Sequence, residues 1–330
     1  MGRAQKLIRL LGRGFMPALA LSLCACANLP NKNDVAIGKE RFAYALRGTG
    51  EPVVVFEAGL GEGMDTWAPI YNDVAAYTAV FAYDRRGYGE SGKPAGALKT
   101  SGKGAIVKGI GEEVFDAVAP GASTVVGLGM LATRAAKASV PRTGAMIVAE
   151  LHAVLKKAGV QPPYVLVGHS LGGLYMSLYA RTYPEEVAGL ILVDSSHPEQ
   201  FERCQQYLPA KKCDPRHAPW WVKTLIKMAP EVFEAEITGV TETGRQIRIA
   251  GPLPPVPLVV LSHGKPPADE PGSGQMWAAL QQDLVDQSPR GTHIIARKSG
   301  HYIQNDEPEL VIQTIKDLVT QVRQGRAILQ

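Results

Sequence analysis

The run Tyr164-Val165-Leu166-Val167-Gly168-His169-Ser170-Leu171-Gly172-Gly173 constrains this chain more than any other stretch. A β-branched apolar segment leads into Gly-x-Ser-x-Gly, and a helical pattern opens at Leu171. That places Ser170 on a strand-to-helix bend so tight that positions 168 and 172 hardly admit a side chain. The hydroxyl then stands clear of the backbone, beside a helix N-terminus whose N–H groups suit a developing negative charge. The five-residue pattern alone is a common accident. Framed by this strand and this helix it is specific.

The rest of the chain repeats the alternation. Short apolar runs at 42–46, 53–57, 79–83, 164–167, 190–193, 257–261 and 292–296 read as strands, several continuous enough to be covered on both faces. Between them, 144–158 carries Ile147, Leu151, Val154, Leu155 and Ala158 on one helical face, with Thr143 placed to cap it and Gly159 to stop it. Residues 309–323 repeat the pattern. The expectation is an α/β domain over 35–330 built on a doubly wound, mostly parallel sheet. Two stretches break the rhythm: 93–139, rich in Gly and Ala, and 196–254, which holds Trp220, Trp221 and several prolines. Both leave the carboxyl ends of strands, the rim where such sheets bind ligands, so both are expected as lid or cap insertions. Within the first, 117–133 carries no charge, but its glycines and Pro120 favour a buried or interfacial lid piece over a membrane span.

The N-terminus has a different character. Arg3, Lys6, Arg9 and Arg13, with no acid among the first 25 residues, account for the whole formal net charge of +4. The remainder of the chain is near neutral and offers no electrostatic case for binding nucleic acid. The basic start, the short apolar stretch 15–23 and the small residues after it read as an export signal over 1–25. Leu23-Cys24-Ala25-Cys26 resembles a bacterial lipobox, which makes Cys26 the expected lipidated N-terminus and membrane anchor, with 26–34 as tether. Ordinary cleavage near Ala25 or Ala27, giving a soluble secreted protein, is the alternative. Beyond the signal only Cys204 and Cys213 remain, and in an oxidising compartment they are expected to bridge and staple a loop. Two cysteines with no second pair nearby make half a metal site at best.

Four motifs in order carry a resemblance over 35–330 apart from the two insertions. Val54-Val55-Phe56-Glu57-Ala58-Gly59-Leu60-Gly61 resembles an oxyanion loop. Asp84-Arg85-Arg86-Gly87-Tyr88-Gly89-Glu90-Ser91 resembles a D-x-R-G-x-G-x-S loop. Gly168 to Gly172 resembles a nucleophile elbow, and Gly300-His301 follows the last strand. Together they are similar to α/β-hydrolase-fold serine hydrolases of the esterase and lipase type. The resemblance implies cleavage of a small acyl compound without a cofactor or metal. Ser170 would be the nucleophile, His301 the general base, and the backbone N–H groups of Leu60 and Leu171 the oxyanion hole. The acid of the triad falls either at Asp194, which closes the strand at 190–193, or at Asp269, in the Pro-rich loop after the strand at 257–261. Asp194 is the first choice.

Other chemistry-bearing residues have plainer readings. His169 inside the elbow is expected to pack or orient the turn, and His197 to make a structural hydrogen bond. His152, His217, His263 and His293 default to solvated or satisfied roles, and no histidine pair has zinc-helix spacing. Asp84 and Arg86 read as an ion pair shaping their loop, and Trp220 with Trp221 as a small lid core. An aminopeptidase, a thioesterase and a carbon–carbon bond hydrolase would reuse the same machinery. A non-catalytic envelope binding protein is the contender outside enzymes.

Overall fold

The computed structural model describes residues 28–91, 140–209, 213, 231–265 and 271–329. The 93–139 insert, Cys26, Trp220, Trp221, His217 and Asp269 lie outside them. Eight strands form one sheet: β1 (Lys32–Ile37), β2 (Glu40–Arg47), β3 (Val53–Glu57), β4 (Val80–Tyr83), β5 (Tyr164–His169), β6 (Val187–Val193), β7 (Leu258–His263) and β8 (Gly291–Ala296), in the order β1-β2-β4-β3-β5-β6-β7-β8. β1 and β2 pair antiparallel, as do β2 and β4, and every other pairing is parallel. The doubly wound α/β expectation holds.

Strand alternation divides the core into two. Val53, Val55, Tyr164, Leu166, Leu190 and Leu192 face one side of the sheet, with helices α2 (Gly144–Lys157), α3 (Leu171–Thr182) and α5 (Glu231–Ile249) packed there. Val54, Phe56, Val165, Val167, Ile191 and Val193 face the other, under α1 (Ala68–Ala75) and the long C-terminal α7 (Pro308–Leu329). Burial on both faces explains why β3 and β5 are unbroken apolar runs. The chain winds outward from β3 in one direction and from β5 in the other, so the switch point of the sheet lies between these two strands.

Two expectations need correction. The tether expected over 26–34 ends early: Lys32 to Asp34 already belong to β1, which pairs Ile37 with Glu40 across a two-residue turn with Gly38 at φ 61°. Its residues alternate in burial around polar side chains, so it lacks the apolar run that marks the central strands. Thr143 does occupy the N-cap of α2, but its side chain makes no cap bond. Thr243 Oγ1 and Gln246 Oε1 of α5 accept instead from the N–H groups of Gly144 (2.7 Å) and Ala145 (2.8 Å). A cap supplied by another helix leaves no mark in the local sequence.

Between β6 and β7, the short α4 (Gln200–Cys204) precedes the disulfide from Cys204 to Cys213, whose Cα atoms are 5.8 Å apart. Both cysteines are buried with Leu208 against Met276 and Leu280 of α6 (Pro271–Asp286). Helix α5 then lays Phe233, Ile237, Val240 and Ile247 into the first core. This part of the 196–254 stretch is therefore packed against the body of the domain.

Candidate active site

β5 ends at His169 and α3 begins at Leu171, leaving Ser170 alone on the bend, with φ 53° and ψ −122°. A Cβ on Gly168 would lie 2.7 Å from the Gly172 carbonyl oxygen, and one on Gly172 2.5 Å from the carbonyl oxygens of Glu57 and Ala58. Close backbone approach thus demands both glycines. The elbow is laced to the end of β6: Ser170 N–H donates to the Val193 carbonyl at 3.1 Å, and Ser196 N–H donates to the Ser170 carbonyl at 3.0 Å. Ser170 is fully buried, and its Oγ makes no hydrogen bond among the described residues.

Asp194, the next residue after β6, is also buried and also has a positive φ, 44°. Its carboxylate gathers donors from three directions. His301 Nδ1 lies 2.6 Å from Oδ2. The His263 backbone N–H donates to Oδ1 at 3.0 Å, and His263 Nδ1 lies 3.0 and 2.9 Å from the two oxygens. Trp277 Nε1–H donates to Oδ1 at 2.8 Å. Burial alone would raise the carboxyl's pKa, but the two imidazoles outweigh it and hold Asp194 well below the usual carboxylate range. His301 is shifted down, chiefly by burial and also by the neighbouring His169 and His263, against the pull of Asp194.

The loop after β3 closes the other side. Gly59 packs on the elbow, where an added Cβ would meet Glu62 Oε2 at 2.7 Å and Ser170 Cβ at 3.3 Å. Leu60 follows it, buried, and Leu171 opens α3, so both segments converge on Ser170. Glu62 is a hub here: Oε2 accepts from Gly59 N–H at 2.9 Å and lies 3.1 Å from His169 Nδ1. His169 Nε2 in turn lies 3.0 Å from the His301 carbonyl oxygen. Burial works against an imidazolium at His169, yet the Glu62 charge and hydrogen bond raise its pKa, while Glu62 is shifted down. His169 therefore orients the turn, as expected, and ties it to the segment carrying His301.

Beneath the same loop sits a cationic clamp. Buried Arg85 donates to the carbonyl oxygens of Ala58 and Gly59 (2.7 Å each), to Glu57 Oε1 (2.8 Å) and to both oxygens of Glu236 (3.0 Å each). Tyr83 and Tyr88 hydroxyls donate to Glu57 and Glu236 at 2.6 and 3.2 Å. Asp84 and Arg86, expected to pair, do not. Asp84 shapes its loop by accepting from the N–H groups of Met64 and Glu90 (2.7 Å each), whereas Arg86 reaches Glu40 at the surface (2.9 Å).

His197 has the structural bond expected of it, its Nδ1 accepting from Glu199 N–H at 3.0 Å, and burial lowers its pKa to about 4. The larger omission is His263. It ends β7 and meets Asp194 across the parallel strands, a contact that no local spacing announces. Arg85, Glu57 and Glu236 were missed for the same reason. Glu62, three residues after Gly59, was nearer to hand. No group of three or more His, Cys, Asp or Glu side chains among the described residues is placed to hold a metal ion.

Comparison with known proteins agrees with this architecture. The family model described as alpha/beta hydrolase fold matches residues 52–212. An uncharacterised Bacillus subtilis protein, YqjL, is 25% identical over 274 residues, covering 82% of this chain and 85% of its own. A thermophilic esterase from Thermogutta terrifontis superposes with a TM-score of 0.55 at 18% identity, over 88% of this chain and 99% of that one. A bacterial membrane phospholipase A does so with a TM-score of 0.52 at 17% identity, over 89% and 86%.

Proposed function

We propose that this chain, which has the α/β-hydrolase fold and matches that family over residues 52–212, cleaves a carboxylic ester or related acyl compound through an acyl-enzyme on Ser170. The observation that carries the reading is the 2.6 Å contact between Asp194 Oδ2 and His301 Nδ1, next to the strand end that binds the Ser170 backbone. A ring whose Nδ1–H is held by a carboxylate keeps Nε2 as its basic nitrogen. His301 Nε2 takes the Ser170 hydroxyl proton as Oγ attacks the acyl carbon. The oxyanion that forms is held by the N–H groups of Leu60 and Leu171, each worth about 3 kcal/mol in the transition state. Collapse breaks the bond to the leaving alkoxide, which receives the proton from His301. Water then attacks the acyl-serine, giving its proton to His301, which returns it to Ser170 Oγ as the acyl–oxygen bond breaks and the carboxylic acid departs. Asp194, rather than Asp269, is the orienting acid in this scheme.

Export with an anchor at Cys26 belongs to the same reading, supported by the basic–apolar N-terminus and by the Cys204–Cys213 bridge, which suits an oxidising compartment. Mass spectrometry of the N-terminal peptide, showing a diacylglyceryl cysteine or an unmodified cleavage product, tests it.

A fluorophosphonate probe tests the chemistry. Wild type should be labelled and Ser170→Ala should not. A panel of p-nitrophenyl esters from acetate to palmitate then reads the acyl preference. A wild-type protein inert to the probe at every pH, and to the whole panel, would favour the non-catalytic binding protein.

A further inference from the structure

Asp194 carries two imidazoles, and the reaction proposed above uses one. Both rings reach Oδ2 through Nδ1, His301 at 2.6 Å and His263 at 2.9 Å. The second ring is not there by accident of packing. β7–β8 pairing sets His263 opposite Ala296, its ring lies along the Trp277 indole (centroids 5.7 Å, interplanar 23°), and its side chain is 10% exposed. The His263 backbone N–H and the Trp277 indole already supply neutral donors that orient the carboxylate. What the His263 ring adds is a proton that can come and go.

We infer that His263 is a positioning residue that governs, through the carboxylate both rings share, how strongly Asp194 supports His301 as a base. The inference rests on the Ser170–His301–Asp194 reading. One carboxylate has one negative charge to offer. With His263 protonated, that charge is already largely matched, and an imidazolium forming on His301 faces a like charge across the same oxygen. With His263 neutral, its Nδ1–H still donates, but the whole carboxylate charge stands opposite His301. The charged groups around His263 allow such a coupling. Among the described residues, the ring meets Asp194 just after β6 and the uncharged Trp277 of α6, and His301, after β8, shares that carboxylate. Lys265 and Arg297, just beyond the ends of β7 and β8, are exposed to solvent. The Glu62–His169 pair neighbours His301, with the His169 and His301 rings 4.7 Å apart. The shifts run in the expected sense: burial opposes a charged His263, but Asp194 raises its pKa, whereas His301 is lowered by burial and by its two histidine neighbours.

The experiment is the rate of fluorophosphonate labelling of the full chain from acid to alkaline pH, in wild type, His263→Gln and His263→Phe. The acidic limb reports protonation of His301. Glutamine keeps an N–H donor without the charge, so its limb should move to higher pH by roughly half a unit to one unit, slowing labelling about three- to tenfold well below the midpoint. Phenylalanine should show that shift together with a lower plateau. Acidic limbs that coincide with wild type in both variants overturn the inference. Histidine-ring NMR titration of the wild-type protein supplies a readout that needs no substitution. His263 and His301 should titrate as a coupled pair, and independent single-site curves would also overturn it. A wild-type chain that never labels sinks the Ser170 reading instead, and the ring titration then still decides whether the two imidazoles are coupled.

Discussion

Arg85 lies bidentate against Glu236, a residue 151 positions further along, with both side chains at most 1% exposed. The same guanidinium holds the carbonyl oxygens of Ala58 and Gly59, so one ion pair ties α5 to the loop that precedes Leu60. Arg85→Met strands Glu57 and Glu236 in the interior and should cost about 3–5 kcal/mol in urea unfolding, the usual penalty for breaking a buried pair from one side. Arg85→Met with Glu236→Met should be less destabilised than the sum of the two single changes. A single variant within about 1 kcal/mol of wild type would mean the clamp contributes little.

Asp194→Asn should lower turnover by about 10⁴ with a modest change in KM, because an amide facing His301 favours the wrong tautomer. Asp269→Asn should stay within a few-fold of wild type. The reverse pattern in steady-state kinetics would transfer the acid's role to Asp269.

The Glu62–His169 pair makes stability depend on pH in a definite direction. His169 is raised above its ordinary 6.5 in the fold, so its contribution is complete below that value and fades as pH rises through the folded pKa. Glu62 is lowered below 4.5, so its contribution is complete above that value and fades as pH falls through the folded pKa. The pair is therefore strongest between about 4.5 and 6.5. Glu62→Gln should cost more stability at pH 6 than at pH 9, measured by urea midpoints. Equal losses at the two pH values would show that the pair is not ionic.

Closing a loop of nine positions, the Cys204–Cys213 bridge should stabilise the fold by about 2–3 kcal/mol through the unfolded chain. Replacing both cysteines by Ala should lower the denaturation midpoint accordingly. An unchanged midpoint would mean that the packing of Leu208, Met276 and Leu280 holds the segment without help.

What could be read from the sequence was what local geometry dictates. The elbow announced itself because Gly168 and Gly172 answer to backbone contacts a few residues away or on the adjoining loop. The central strands did so because burial on both faces leaves no polar alternation. The first half of β1 falls within the expected tether because it is polar and half-exposed at the sheet edge. Asp194 and Asp269 both follow strands, and strand ends alone do not say which one an imidazole will meet. The second partner of Asp194, His263, is 69 positions away and adjacent only once β6 and β7 lie parallel. Arg85 and Arg86 are neighbours in one motif, and nothing in the local spacing says that the first turns inward and the second faces solvent. Interior charges with distant partners are legible only after the chain has folded.

Ser170 holds a left-handed backbone angle that a side chain ordinarily avoids, and a conformation of this kind costs about 1–3 kcal/mol. Its hydroxyl makes no hydrogen bond among the described residues to offset that cost. Glycine at this one position would accept the angle freely, so a silent Ser170→Gly protein should outlast the working one on heating. If Ser170 is the nucleophile, as proposed, durability and reactivity are set against each other in a single residue, and selection for a tougher variant would be drawn toward erasing it.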